Sequence, residues 1–169
     1  AHFLDVHLLD IGEFVHVINR FESQMQSHWG LKRSNIRISC IKGDILGEDK
    51  SCNEGKKISA LMSSSHLITA FFVVNELFQQ SPRKALAAIK NIILRMRKNA
   101  ILVVADSFSN MSDLTINGKK YRVPFLLDNL PGLKICRKEE SRWFRLPKDA
   151  KYGCDLQNVH YYLRIFQRI

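Results

Sequence analysis

Apolar positions along this chain switch repeatedly between a strand-like run and a helix-like spacing. Leu4 to Leu9 forms a short, mostly apolar run that ends at Asp10, with Gly12 just after it, and reads as a strand. From Phe14 the apolar residues recur at Val17, Ile18, Phe21 and Met25, one buried face of a helix, and Gly30 supplies its stop. Ile36, Ile38, Cys40 and Ile41 mark a second strand closed by Gly43 and Asp44, and the polar stretch from Gly47 to Lys57 reads as an exposed loop before helical spacing over Lys57 to Met62. His66 to Val74 is the most apolar run; its β-branched and aromatic residues predict a strand buried on both faces that ends at Asn75 and Glu76.

Ser81 and Pro82 then give an N-cap and a first-turn proline for a helix with apolar positions at Ala85, Leu86, Ile89, Ile92, Ile93 and Met96. Ala100 to Ala105 is a further all-apolar strand, finishing at Asp106. Strands separated by amphipathic helices predict right-handed crossovers and an α/β, Rossmann-like, mostly parallel sheet flanked by helices. The tail differs. An Asn117-Gly118 pair between alternating segments predicts a hairpin within residues 111–124, read as an insertion, and a short helix is expected over Val123 to Leu130. Leu133 to Cys136, Trp143 to Leu146 and Val159 to Phe166 read as antiparallel C-terminal strands.

The 169 residues suit one domain, expected over 1–169, and with 46% hydrophobic content they can bury one core. The chain opens on Ala1 and already alternates like a strand, so the expectation is a fragment of a larger parent, incomplete at its N-terminus. No apolar run approaches the roughly 20 residues that span a bilayer, and the first residues lack the basic front of a secretory signal, so no membrane partner is expected. Cys40, Cys52, Cys136 and Cys154 form no C-x-x-C pair and no dense framework; reduced thiols in an intracellular protein are the simplest reading. The formal charge of +10, from 26 Lys and Arg against 16 Asp and Glu, would attract a polyanion by counterion release, which favours a nucleic-acid partner over a solvated cationic face.

In an open parallel sheet, ligands bind beyond the carboxyl ends of the strands, so the residues that follow each apolar run matter most. These are Asp10, Asp44, Asn75 with Glu76, and Asp106 with Ser107. A carboxylate after one strand can accept from ribose hydroxyls, and a polar group after the next can reach an adenine amine. Each alone reads better as a turn or capping residue; only their joint placement points to a nucleotide-like ligand. Other chemistries find no support: there is no G-x-G-x-x-G, P-loop, G-x-S-x-G or H-E-x-x-H, and the six histidines are scattered, so no metal is expected. Phe71 and Phe72 sit inside an apolar run and read as core. Arg142, Trp143, Phe144 and Arg145 interleave basic and aromatic side chains as single-strand RNA binding requires, and Lys119, Lys120 and Arg122 on the hairpin suit phosphates. The competing readings are strand core for Trp143 and Phe144 and mere solubility for the lysines; Arg164 and Arg168 are open in the same way.

The order LLDIGEF, CIKGDIL, LITAFFVVNELF and AILVVADSFS resembles the second to fifth strands of class I S-adenosylmethionine-dependent methyltransferases. VVNELF with its following helix, the Asn-Gly hairpin, FLLDNL, SRWFRL and NVHYYLRIFQRI are similar, more narrowly, to the large-subunit rRNA uridine-N3 methyltransferases of fungi, over nearly the whole chain. The resemblance implies S-adenosylmethionine as cofactor, with Asp10 on its ribose (Glu13 a less favoured substitute), Asp44 near adenine, Ile11 and Ile45 as accompanying contacts, and Asn75 between methyl donor and acceptor. It implies Asn75 and Glu76 as the catalytic positions, Asn75 orienting the acceptor base, with capping of the following helix as the other role for Glu76. It further implies an rRNA or pre-ribosomal partner and a nuclear or nucleolar location.

The departure from the pattern is that the family's first strand and glycine-rich turn have no counterpart here. A non-catalytic RNA-binding or ribosome-assembly module on the same scaffold is therefore the rival expectation. A small-molecule methyltransferase is disfavoured by the charge.

Overall fold

A computed structural model of the chain describes residues 3–32, 35–47, 53–108, 113–116, 118–147, 153 and 155–169. Asn117, Cys52 and Cys154, singled out above, lie outside the described residues. The chain forms two compact units, residues 1–61 and 62–169.

In the first unit, β1 (Leu4–Asp10) runs parallel to β2 (Ile36–Lys42), in register from Leu4 opposite Ile36 to Asp10 opposite Lys42. Between them lies α1 (Val15–Trp29), whose C-cap Gly30 takes φ +62, a left-handed conformation that glycine adopts without steric cost, and returns its N–H to the Met25 carbonyl. Ile18 and Met25 are the buried positions of α1, as the periodicity predicts, but Val17, Phe21 and Trp29 stay exposed, with Phe21 and Trp29 edge to face at 6.3 Å. Two charged side chains brace the strand pair: Arg37 donates to both Asp5 carboxylate oxygens and lies over the Phe3 ring. The stretch expected to be loop through Lys57 is already helical from Asn53, in α2 (Asn53–Ser64). Lys56 and Lys57 are ordinary helix formers there.

The second unit is built on a four-stranded sheet. Its strands are β3 (Leu67–Phe71), β4 (Ile101–Ser107), β7 (Leu133–Phe144) and β8 (Val159–Arg168), in the order β3-β4-β8-β7. β3 and β4 are parallel, and β8 joins β4, and β7 joins β8, antiparallel. Two helices follow β3: α3 (Val74–Gln80) and α4 (Pro82–Arg95), the latter capped as predicted by the Ser81 side chain accepting from the Lys84 amide. The hairpin β5 (Asp113–Ile116) and β6 (Lys119–Arg122) is antiparallel, with Gly118 at φ +76 in its turn, and leads into α5 (Val123–Asp128).

Three expectations are corrected here. The run from His66 is strand only to Phe71; Val74, Asn75 and Glu76 belong to α3 rather than to a strand end. Phe71 and Phe72 are 56% and 47% exposed, not core. Leu133 to Cys136 and Trp143 with Phe144 are the two ends of one strand, β7, which runs through the polar middle with two register shifts, while Arg145 and Leu146 lie past its end.

The core of this unit is apolar where β4 and β8 meet the helices: Leu102, Val104, Phe166, Phe78, Ile89 and Val123 are all buried. It also contains a charge. Arg164, 1% exposed, donates from Nε to Asp128 Oδ1 at 2.7 Å, from Nη2 to both Glu140 oxygens at 2.9 and 3.0 Å, and from Nη1 to the Glu139 carbonyl. A guanidinium is tolerable in such a place only when its fork of donors is matched in this way. Arg168 donates to the carbonyls of Ile93 and Gly132 at 2.8 and 3.0 Å, tying the last strand to α4. Both arginines, left open by the sequence, hold the fold together.

Candidate functional site

In the first unit, Asp10 and Asp44 come to the same end of the parallel pair, because the Gly43 amide donates to the Asp10 carbonyl at 2.8 Å. Each carboxylate is held by its own turn: Asp10 Oδ1 accepts from the Gly12 amide at 2.7 Å, and Asp44 Oδ1 accepts from the Leu46 amide at 2.8 Å. These are Asx-type turns, which explain why Asp follows each strand. Both residues are exposed, and among the described residues the second oxygen of each has no hydrogen-bond partner. Ile11 is exposed and Ile45 half-buried beside them, while Leu46 anchors the second turn by being buried. The arrangement presents two fixed acceptors flanked by apolar surface, a donor set that fits a ribose and an adenine edge.

In the second unit, the turn after β3 carries a strained aromatic, Phe72 at φ +55, whose amide donates to the Ala105 carbonyl at 2.8 Å. A bulky residue holds this left-handed conformation only where its surroundings impose it. The turn delivers α3 to the end of β4. There Asp106 Oδ2 accepts from the Asn75 amide at 2.9 Å, and Asp106 Oδ1 accepts from Asn75 Nδ2 at 3.0 Å and from the Ser107 amide at 2.7 Å. Asn75 Nδ2 also donates to the Ser107 carbonyl at 2.9 Å. Asp106 thus caps α3 from a distant strand, satisfying an orphan first-turn amide that the local N-cap, Val73, cannot.

Asn75 is 3% exposed and spends both side-chain protons inside this cluster. Glu76, next to it in the first turn of α3, is exposed and makes no capping hydrogen bond. Beneath the cluster, burial and then the Asp106 carboxylate hold the Tyr162 phenol well above its ordinary range, and its hydroxyl has no partner among the described residues.

Across the same end of the sheet, three rings stand in a row, Trp143 on β7, His160 on β8 and Phe108 just past the end of β4. Trp143 stacks on His160 with centroids 4.5 Å apart and planes 2° from parallel, and Phe108 lies against the other side of the row at 4.5 Å from His160. Strand pairing sets this up: Trp143 is opposite His160, and the Phe108 amide donates to the His160 carbonyl at 3.0 Å. Ser141 Oγ fixes the imidazole by a 2.7 Å contact to Nε2. Trp143 and Phe144 are exposed rather than core; Arg142 lies 3.8 Å from Glu139, and Arg145 is exposed. Lys119 and Lys120 are exposed on β6, without ion pairs among the described residues. Asp10 and Asp44 thus fall in the first unit, and Asn75, Glu76 and the basic-aromatic residues in the second. Among the described residues no group of His, Cys, Asp and Glu is placed to hold a metal, and no helix is long and apolar enough to cross a membrane.

A family model described as "Putative SAM-dependent methyltransferase" matches residues 1–167. The chain belongs to this family. Its cofactor is S-adenosylmethionine. Among curated proteins, the 25S rRNA (uridine(2843)-N(3))-methyltransferase of Saccharomyces cerevisiae (strain ATCC 204508 / S288c) is similar to this chain, 23% identical over 183 residues. That match covers 96% of this chain and 47% of the yeast protein, so the chain spans about half the length of that relative. Among solved structures, the N-methyltransferase NodS from Bradyrhizobium japonicum WM9 matches with a TM-score of 0.51 at 12% identity, covering 99% of this chain and 85% of that one. The antibiotic-resistance methyltransferase Kmr matches equally, TM-score 0.51 at 12% identity, with 99% and 88% covered. The likeness to these two gives the Rossmann-like α/β methyltransferase fold expected from the alternating elements.

Sequence reasoning missed Phe108, His160 and Asp106's role as a remote helix cap. For Phe108 a signal exists, since it follows the buried Asp106 by two residues and so continues the same face of β4. Nothing local marks His160; its stacking partners lie 52 and 17 positions away, or one strand over on either side.

Proposed function

We propose that this methyltransferase-family chain serves an RNA substrate, and that the reaction is methylation of a uridine N3 in ribosomal RNA. What carries the reading is the pair of exposed carboxylates, Asp10 and Asp44, each locked through one oxygen and open at the other at the carboxyl end of parallel strands. The yeast relative's rRNA activity and the +10 charge support the substrate class. S-adenosylmethionine supplies an electrophilic methyl group on a sulfonium. Asp10 accepts from the ribose hydroxyls, Asp44 from the adenine amine, and Ile11 and Ile45 give the apolar sides of the cleft.

Alignment is the chain's main contribution to such a displacement, in which the uridine N3, its proton given up to solvent, would take the methyl group and S-adenosylhomocysteine would leave. Glu76 is the member of its pair that touches the acceptor base. Asn75 is a positioning residue: through Asp106 it fixes the turn between β3 and α3. N3 lies on the pairing edge of uridine, so the substrate is an unpaired or flipped nucleotide. Arg142, Trp143, Arg145, Lys119 and Lys120 hold the strand that carries it, and a nuclear or nucleolar location follows from a pre-ribosomal substrate.

The test is incubation of the full chain with methyl-labelled cofactor and unmodified large-subunit rRNA, followed by nucleoside mass spectrometry. N3-methyluridine is the expected product. RNA binding without label in any nucleoside would overturn catalysis and leave a binding module.

A further inference from the structure

The row Phe108–His160–Trp143 is more than three aromatic residues near one another. A lone exposed tryptophan on a strand end has rotamer freedom, and stacking a ligand on it means giving that freedom up. Here the indole is already seated, stacked parallel on an imidazole that is itself pinned by Ser141 and backed by Phe108. Yet Trp143 remains 58% exposed, so only one of its faces is spent. The rim beside it is closed by the Leu146 amide donating to Asn158 Oδ1 at 3.0 Å, and Arg145, exposed two residues past Trp143, is without an ion pair among the described residues. By the two-residue repeat of a strand, His160 shares its face with Tyr162, which pairs with Asp106, the residue that holds Asn75.

From this we infer that the open face of Trp143 is a preorganised stacking platform for one unpaired nucleobase of a single-stranded RNA, with Arg145 on the adjoining phosphate. Aromatic faces accept any base, so the platform gives strand affinity and position rather than sequence. It lies within the same unit as the Asn75–Asp106 cluster and at the same end of the sheet, which suits a base flanking the one that is modified. The inference rests on the RNA-substrate reading given above and deepens it by naming where a neighbouring base sits.

Trp143 and Trp29 are the two tryptophans of the sequence, so a Trp29→Phe variant of the full chain leaves Trp143 as its single indole. Titration with oligouridylate should quench its fluorescence, and an RNA duplex of equal length should not. Trp143→Leu should weaken oligouridylate binding roughly five- to hundredfold. The salt slope should stay unchanged, because every cation that meets a phosphate is still in place. Trp143→Phe should keep most of the affinity. His160 acts through Trp143, so His160→Ala should weaken binding and His160→Phe, which restores a ring, should rescue it. If Trp143→Leu binds oligouridylate as the parent does, or the indole is not quenched while RNA is bound, the platform is refuted and the methyltransferase reading stands. If the parent chain binds neither single-stranded nor duplex RNA, the RNA reading itself falls and the platform with it.

Discussion

Asn75 and Asp106 hold one another through two hydrogen bonds, backbone amide to Oδ2 at 2.9 Å and side-chain amide to Oδ1 at 3.0 Å, although 31 residues separate them. The bond pair joins the start of α3 to the end of β4, and so fixes the strained turn at Phe72 between them. Asp106→Ala would strand the Asn75 and Ser107 backbone amides and one proton of the Asn75 side-chain amide, whose other proton stays on the Ser107 carbonyl. Each buried donor left unmatched costs about 1–3 kcal/mol, so a loss of about 3 kcal/mol or more is expected in urea unfolding. A loss below about 1 kcal/mol would show that water or another acceptor replaces the carboxylate.

Tyr162 offers a contrasting case on the same face. Its ring is fully buried and its hydroxyl unmatched among the described residues, so removing the oxygen discards a desolvated polar group without breaking a bond. Tyr162→Phe is expected to be neutral or stabilising, within about 1 kcal/mol. A clear fall in the melting temperature would reveal a partner for the phenol.

The buried guanidinium of Arg164 makes stability depend on pH in a definite direction. Partial burial works to raise the Glu140 carboxyl, but the hydrogen bonds from Arg164 and Lys138 overcome it and hold the group below its ordinary value of 4.5. A depressed carboxylate contributes stability that is complete above its unfolded value and is lost as the pH falls through the folded one. Unfolding free energy should therefore decline below about pH 4.5, with Asp5 and Glu139, also depressed by arginine partners, acting in the same sense. Arg164→Met should cost about 3 kcal/mol at neutral pH, because it leaves Asp128 largely buried beside Lys138 alone, and should flatten the acid decline. Parallel denaturation curves for the two proteins from pH 3 to 7 would contradict this.

For the cofactor, Asp10→Ala should weaken binding of S-adenosylhomocysteine roughly ten- to hundredfold by calorimetry, the scale of a hydrogen bond to a charged group. Unchanged affinity would remove Asp10 from the ribose.

For RNA, reversing Arg142 and Arg145 to Glu should lower affinity and make the salt dependence shallower by about one unit of slope for each phosphate no longer neutralised. An identical slope would put the phosphates elsewhere.

How much of this the sequence reveals follows from where each signal resides. Asp10, Gly12, Asp44 and the Ser81-Pro82 cap carry their turn chemistry within a few residues, and the observed bonds match. The start of α3 does not: Val73 and Val74 favour a strand locally, and the helix begins there because its cap arrives from Asp106 on another strand. The sequence leaves Arg164 open for the same reason, since Asp128 and Glu140 lie 36 and 24 residues away.

The irregularities in β7 have a consequence for the rim. Two residues of β7 span one of β8 between Ile135 and Arg137, and three span two between Glu139 and Arg142. Each slip inverts which side of the ribbon the following residues occupy, and the second undoes the first, so Ile135 and Trp143 point the same way although polar chain separates them. The strand works as a two-click phase adjuster. Excising a single residue between Glu139 and Arg142 would remove the second slip together with its extra residue, so Trp143 would stay opposite His160 with the indole on the same side: pairing with β8, and not the count of residues along β7, decides where it points.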